Sequence, residues 1–165
     1  MSDSIILTNE QIIHKTKRIA FQILESNSDE SEIILAGICG NGYILAGRLK
    51  KVIEEICDLK VTLCEVNINK KNPLEAITTS ISSEDYTNKS IVLVDDVLNS
   101  GATLIYGVKH FLEVPLKKFK TVVLVNRNHK NFPVKADFKG ISMSTSILEH
   151  IDVEFTEDSS IAYLC

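Results

Sequence analysis

Residues 91–103 read Ile-Val-Leu-Val-Asp-Asp-Val-Leu-Asn-Ser-Gly-Ala-Thr, and this stretch decides the fold. Its four leading apolar residues show no polar alternation, which is typical of a strand buried on both faces of a parallel sheet. Two carboxylates, Asp95 and Asp96, follow at the predicted strand end. Gly101 then allows a tight loop, and Thr103 begins an apolar-periodic helix. The stretch predicts a phosphate-binding loop beside a hydroxyl-binding acid, although the same acids would also suit a metal or a loop cap.

Residues 94–103 closely resemble the phosphoribosyl-pyrophosphate (PRPP) binding motif of the type I phosphoribosyltransferases. The resemblance extends along most of the chain to the bifunctional pyrimidine-operon regulator/uracil phosphoribosyltransferase family. The matching segments are residues 6–8, 18–20, 37–46, 124–129 and 133–138. The resemblance implies transfer of a ribosyl phosphate group from PRPP to a ring nitrogen of a base, with release of pyrophosphate.

The pattern of elements favours an α/β protein with a doubly wound, mainly parallel sheet and helices on both faces, and the resemblance implies a small hood in addition. We expect a single domain over residues 1–165, with a flexible lid at about 67–89 and a hood at about 126–150. Helices are predicted after the Thr8–Gln11 capping box, over residues 43–57 and from Thr103. Further strands are predicted at residues 33–38, 60–67, 119–125, 151–155 and 161–164.

The resemblance assigns roles to residues in two loops. Asp95 and Asp96 would be the catalytic acids that accept hydrogen bonds from the ribose hydroxyls. The 5′-phosphate would be held by Asn99, Ser100, Gly101, Ala102 and Thr103. The pyrophosphate would be held by Cys39, Gly40, Asn41 and Gly42. Asn41 is neutral where the family usually has a basic residue, so backbone N–H groups must do more of the work there.

The resemblance also assigns the lid, the base and the metal. Lys70 and Lys71 would bring positive charge to the pyrophosphate from the lid, although this lid lacks the family's usual arginine. The base would be read by the hood, which includes Asn126, Arg127 and Val134. Purine enzymes of the family have an aspartate at the position of Asn99, so a pyrimidine, with uracil first, is the predicted base. Magnesium would arrive on PRPP, with no site held mainly by protein.

Composition limits the cellular setting. The chain has 165 residues, a net charge of −4 and no apolar run of bilayer length, and we expect a cytoplasmic protein with reduced thiols and no membrane contact. The resembled family commonly self-associates, so a homo-oligomer, a dimer first, is expected.

Charge is distributed unevenly, because residues 117–139 carry seven Lys or Arg and one acid. That segment is either a solvated face or a surface for phosphate-rich partners.

Three functional hypotheses remain open from the sequence. The first is an active phosphoribosyltransferase. The second is an RNA-binding regulator, because His129, Lys130 and Lys135 match basic positions of the family's RNA face. Other positions of that face differ, with Lys17, Phe21 and Ile141 in place of the family's residues. The third is a PRPP- or nucleotide-binding protein with little turnover, which Asn41 and the altered lid would favour.

Overall fold

A computed structural model describes residues 4–165 of the chain and places most of its strands in one six-stranded sheet. The strands of this sheet are β2 (Glu32–Ile38), β3 (Lys60–Asn67), β4 (Thr78–Thr79), β5 (Ser90–Leu98), β6 (Lys118–Arg127) and β7 (Phe138–Met143). Their order across the sheet is β4-β3-β2-β5-β6-β7. All neighbours are parallel except β3 and the two-residue β4.

Helices cover both faces of this sheet, as the doubly wound prediction requires. They are α1 (Asn9–Ser26), α2 (Asn41–Ile56), the short α3 (Ser83–Tyr86) and α4 (Ala102–Phe111). One apolar core joins α1 and α2 to the sheet through residues such as Ile19 and Leu49. A second core lies on the opposite face and includes Phe111 of α4 and Tyr86 of α3. The Thr8 capping box at the start of α1 is confirmed.

A separate three-stranded antiparallel sheet joins the two ends of the described chain. Its strands are β1 (Ser4–Leu7), β8 (Ile151–Phe155) and β9 (Ser160–Leu164), in the order β1-β9-β8. The sequence predicted β8 and β9 but not β1. Leu7, Ile151 and Val153 pack into the core that α1 and α2 share, so this small sheet is fixed to the α2 side of the molecule.

Two boundaries differ from the sequence predictions. The acidic pair does not follow its strand but lies within β5, because β6 continues to pair with β5 as far as Leu98. The segment 126–150, predicted as the hood, contains a strand that was not predicted, since Phe138–Met143 forms β7 at the edge of the main sheet. Residues 1–3 of the predicted domain lie outside the described residues.

The topology also determines where a ligand site can form. From β2 the chain moves to β3 on one side, and from β5 it moves to β6 and β7 on the other. Ligands of open α/β sheets bind beyond the carboxyl ends of the strands at such a reversal of direction. Here that point lies between β2 and β5, where the Cys39–Gly42 loop and the acidic pair meet.

Candidate functional site

The carboxyl end of β5 opens onto a cavity of about 200 Å³. Its lining includes the acidic pair, most of the loop that follows β5, a lid residue and two residues of β8. These lining residues are Lys70, Asp95, Asp96, Val97, Leu98, Asn99, Ser100, Gly101, Thr103, Leu104, Val123, Ile151 and Asp152. The structure therefore brings the predicted catalytic acids and most of the predicted 5′-phosphate loop to one cavity.

The loop after β5 is arranged to bind an anion. Gly101 has a φ of 89°, which L-residues with a side chain rarely adopt, and it is the N-cap of α4. The first N–H groups of a helix have no partner within the helix. The N–H groups of Thr103 and Leu104 belong to the first turn of α4 and are of this kind. The Ala102 N–H points back to Ser100 Oγ at 3.2 Å. This loop and helix start can accommodate a phosphate group.

The loop after β2 lies directly beside the acidic pair. A Cβ atom at Gly42 would lie 2.8 Å from Val94 O and 3.1 Å from Asp95 Oδ1, so only glycine allows this approach. Gly40 is the N-cap of α2, with a φ of 85°. The Cys39 N–H is already used, because it donates to Val66 O at 2.8 Å. Free N–H donors of this loop therefore come from the start of α2.

Asn41 does not extend freely into the cavity. Its Nδ2 donates to Asp96 Oδ2 at 2.9 Å and to the β8 carbonyl of Val153 at 2.7 Å. The side chain that stands in place of the family's basic residue thus connects an acid of β5 to the small sheet. This contact was not foreseen from the sequence, which gave no indication that β8 lies next to the α2 start.

The two acids are buried and differ in their environments. Asp95 is 3% exposed, and its Oδ1 accepts from the Asp96 N–H at 2.9 Å. Burial raises the pKa of Asp95 to about 7, and the charge of Asp96 adds to the rise while Lys70 opposes it. The Asp96 Oδ1 accepts from the Val97 N–H at 2.9 Å.

Lys70 of the predicted lid contacts this pair directly. Its Nζ lies 3.3 Å from Asp95 Oδ1 and 3.9 Å from Asp96 Oδ1. Burial alone would lower the pKa of Lys70, but the two carboxylates outweigh it and raise that pKa. Lys71 is exposed and its backbone N–H donates to Asn69 Oδ1 at 3.0 Å, so the structure does not bring it to the cavity.

The predicted hood residues support the phosphate loop from one side. Arg127 Nε donates to Thr145 Oγ1 at 2.8 Å, and its Nη1 reaches Asn99 Oδ1 at 3.5 Å. Val134 packs against Gly101, where an added Cβ would lie 2.7 Å from Val134 Cγ1. Ser100 O accepts two further backbone N–H groups from residues 131 and 132 of the same segment.

Asn126 is buried at the end of β6. Its Nδ2 donates to Ser142 Oγ at 3.1 Å, while its Oδ1 is a buried acceptor with no hydrogen-bond partner within residues 4–165. The predicted RNA-face residues of this segment are more accessible to solvent than Asn126. His129 and Lys135 are exposed and Lys130 is half-buried.

Sequence reasoning missed the contribution of β8. Ile151 and Asp152 line the cavity, yet the alternating pattern that predicted this strand gives no information on its neighbours. Within residues 4–165 no group of three or more His, Cys, Asp or Glu side chains is placed to hold a metal ion. In the same range no helix combines the length and the apolar character needed to cross a bilayer.

Comparisons with known proteins agree with this geometry. Residues 2–158 match the model of the phosphoribosyl transferase domain. The Bifunctional protein PyrR of Streptococcus pneumoniae is 32% identical over 143 residues, covering 85% of this chain and 83% of that protein.

Two solved structures have the same fold. The hypoxanthine phosphoribosyltransferase of Trypanosoma cruzi aligns with a TM-score of 0.78 and 15% identity over 96% of this chain and 95% of its own. A hypoxanthine-guanine phosphoribosyltransferase of Bacillus anthracis aligns with a TM-score of 0.71 and 20% identity. The alignment covers 85% of this chain and 82% of that chain. The chain therefore belongs to the phosphoribosyltransferase domain family and, within it, to the group of PyrR-like proteins.

Proposed function

We propose that this phosphoribosyltransferase transfers the ribosyl phosphate group of PRPP to uracil, forming uridine 5′-monophosphate and pyrophosphate. The observation that carries the proposal is the placement of Asp95 and Asp96 beside the 5′-phosphate loop in one cavity that β8 closes. Asn99, which has no acidic group to offer a purine, and the similarity to a PyrR protein both favour a pyrimidine.

Each part of PRPP has a partner in the proposed binding mode. The ribose hydroxyls donate to Asp95 and Asp96, and the 5′-phosphate lies on the loop 99–103 at the start of α4. The pyrophosphate lies at the start of α2, whose N–H groups and helix dipole favour negative charge. Lys70 is within reach of the same region from the lid.

The base would be held by the free edge of β8. His150 and Cys165 exchange two backbone hydrogen bonds of 2.8 and 2.9 Å, and Thr156 donates to Ser159 O at 2.8 Å. Bonded pairs alternate along an antiparallel ladder, so Ile151 and Val153 direct their N–H and C=O groups away from β9. The Ile151 N–H and C=O then offer one donor and one acceptor to a base that presents a neighbouring N–H and C=O, as uracil does.

The chemistry needs positioning and charge stabilisation more than covalent participation. A positive charge develops on the ribose ring as pyrophosphate leaves, and the two carboxylates lie close to that ring. Magnesium supplies charge neutralisation on the leaving pyrophosphate when PRPP is bound. The carboxylate oxygens of Asp95 and Asp96 are ligands of the type that Mg²⁺ accepts, and one or both would help to hold a partly hydrated ion together with substrate oxygens.

The test is a product assay with PRPP, Mg²⁺ and a panel of bases that includes uracil, cytosine, hypoxanthine and guanine. We expect uridine 5′-monophosphate from uracil only. The double variant Asp95→Asn with Asp96→Asn should remove the product, and omission of Mg²⁺ should do the same. Product from hypoxanthine or guanine rather than uracil would refute the base assignment, and no product from any base would refute the enzyme.

RNA binding is a second candidate function because the basic residues of the 126–150 segment cluster. Burial lowers the pKa of Lys130, and the nearby charges of Lys139 and Lys135 lower it further. Like charges held close together, with Asp137 as the one acid of this stretch, suit a phosphate-rich partner. The Arg18 side chain of α1 is less available to bind a phosphate, because its Nη2 already donates to the carbonyls of Lys139 and Gly140 at 3.0 and 2.7 Å.

Binding of the chain's own pyrimidine-gene leader RNA tests this second function. We expect affinity to fall with rising salt and to fall by about tenfold in the double variant Lys130→Ala with Lys135→Ala. Lys51→Ala with Lys60→Ala is the matched control, because it removes the same charge from other parts of the surface. Equal affinity of the two double variants would exclude the proposed face.

The quaternary state and the location in the cell belong to the same proposal. We propose a homodimer in the cytoplasm, where PRPP and free bases are available. The dimer is supported by the resemblance to a family that commonly self-associates. The location is supported by the half-buried or buried thiols of Cys39, Cys57 and Cys64, with no disulfide among the described cysteines. Sedimentation analysis of the purified protein at several concentrations tests the dimer.

A further inference from the structure

The Asn41 side chain joins two parts of the cavity that would bind different parts of the substrates. One Nδ2 hydrogen goes to Asp96 Oδ2 at 2.9 Å, and the other goes to Val153 O at 2.7 Å. Asp96 belongs to the acidic pair on β5, and Val153 belongs to the free edge of β8. Asn41 itself is the first residue of α2. A single carboxamide therefore connects the acid pair, the helix start and the small sheet.

The chemistry of this bridge requires a donor with two hydrogens on one nitrogen. Both partners are acceptors, a carboxylate oxygen and a backbone carbonyl, so the amide nitrogen must face them. A carboxylate at position 41 would place an acceptor against two acceptors. An alanine would leave the Val153 carbonyl without this partner.

The bridge is anchored on a rigid base. A Cβ at Gly42 would lie 2.8 Å from Val94 O, so the start of α2 is in close contact with β5. The Asp96 carboxylate is held at its other oxygen by the Val97 N–H at 2.9 Å. Movement of β8 relative to β5 therefore has to break or strain the contacts of Asn41.

We propose that Asn41 is a positioning residue that couples the ribose subsite to the base subsite. It fixes the distance between the acids that bind the ribose hydroxyls and the β8 edge that presents the Ile151 N–H and C=O to the base. This inference rests on the proposed function, because it assumes a ribosyl ligand on Asp96 and a base on β8. A base bound through β8 is then aligned with the ribose carbon at which the new bond forms.

A second contact between α2 and the small sheet offers a matched control. Arg48 Nη1 donates to Ser160 Oγ at 2.7 Å, Nη2 donates to Thr156 O at 3.0 Å, and the guanidinium lies 4.6 Å from the Phe155 ring centroid. Arg48 thus holds the far end of β8 to the same helix without contacting the acidic pair. If α2 only needed to hold the small sheet in place, Arg48 and Asn41 would be equivalent.

The experiment measures the dissociation constants of ribose 5-phosphate and uridine 5′-monophosphate by isothermal titration calorimetry. The ratio of the two constants reports what the base adds to binding, and it requires no turnover. We expect the wild-type protein to bind the nucleotide more tightly. In Asn41→Ala and Asn41→Asp that advantage should fall by about 10- to 100-fold, the effect of losing a hydrogen bond to a charged group and the alignment it maintains. Arg48→Met should lower the melting temperature and keep the ratio within about threefold of the wild-type value.

Steady-state kinetics give a second measurement. Asn41→Ala, which adds no charge next to the proposed pyrophosphate site, should lower kcat by a larger factor than it raises the KM for PRPP, because alignment of the base affects the transition state more than PRPP binding. An unchanged binding ratio in both Asn41 variants overturns the proposal, and so does an equal loss of the ratio in Arg48→Met. A wild-type protein that forms no product contradicts the proposed function, whereas the binding ratio still decides the coupling.

Discussion

Asp95 is the residue whose environment contrasts most with its proposed task. A ribose hydroxyl donates a stronger hydrogen bond to an ionised carboxylate than to a neutral carboxyl group, yet burial raises the pKa of Asp95 to about 7. Lys70 stabilises the ionised form from 3.3 Å away, but it does not outweigh burial. The free protein at neutral pH therefore contains both protonation states of Asp95, and PRPP binding has to select one of them.

This selection predicts that PRPP affinity increases as the pH rises through about 7, by up to tenfold per pH unit below that value. Stability should change in the opposite sense. A carboxyl whose pKa is raised in the folded state stabilises the fold below its unfolded pKa, and this contribution is lost as the pH rises through about 7. Melting curves with and without PRPP and Mg²⁺ between pH 5.5 and 8.5 measure both effects.

Two variants serve as controls for the pH profile. Asp95→Asn should remove the contribution of Asp95 to the pH dependence of stability, because the carboxamide does not titrate. Lys70→Met should move the rise in PRPP affinity to higher pH, since loss of the ammonium raises the pKa of Asp95 further. A profile that is flat between pH 6 and 8 in the wild-type protein would contradict the assigned role of burial.

At the scale of elements, the contact between α2 and β5 depends on Gly42. Gly42→Ala should lower the free energy of unfolding by about 1–3 kcal/mol, because the new methyl group would lie against Val94 O and Asp95. PRPP binding should weaken in the same variant, since the start of α2 must move away from the acids. Chemical denaturation and calorimetry measure the two changes.

Gly47 provides a control on the same helix. No atom lies within 4 Å of an added Cβ at Gly47, so Gly47→Ala should stabilise the protein by about 0.5–1 kcal/mol through better helix propensity. Equal effects of the two substitutions would mean that the contact at Gly42 has no special importance.

The elements also indicate what sequence alone could predict. The buried strand at 33–38, the alternating strand at 60–67, the Thr8 cap and the acidic motif follow from local patterns. The doubly wound sheet follows from the alternation of strands and helices. The Asn41–Val153 contact and the Lys70–Asp95 pair could not be predicted, because each joins residues far apart in sequence through a tertiary packing choice. β7 was missed because Lys139 and Gly140 interrupt its apolar pattern, and β1 because it has only four residues.

For the molecule as a whole, the small sheet and the main sheet share one apolar core. Leu7 of β1 is 1% exposed and belongs to the same core as Ile19 of α1 and Val92 of β5. The small sheet, which carries the proposed base-binding edge, therefore shares its core with the main sheet. The small sheet should unfold together with the main sheet.

Leu7→Ala tests this cooperativity. We expect it to lower the free energy of unfolding by about 2–5 kcal/mol, as for other fully buried leucines, and to preserve a single transition seen by both far-UV circular dichroism and tyrosine fluorescence. Ile5→Ala is the control, because Ile5 lies on the same strand and is 61% exposed; its effect should be within about 0.5 kcal/mol. Two separate transitions would show that the small sheet is an independent unit.

The pairing of β9 between β1 and β8 has a consequence for synthesis of the protein on the ribosome. β1 is synthesised long before β9, so β1 has no partner strand in its sheet until the residues up to Leu164 have been made. The main sheet, whose strands all precede β8, can assemble during translation, while the proposed base-binding edge cannot be set in position until β9 has left the exit tunnel. A nascent chain would thus form the loops proposed to bind PRPP before it forms the edge proposed to bind the base.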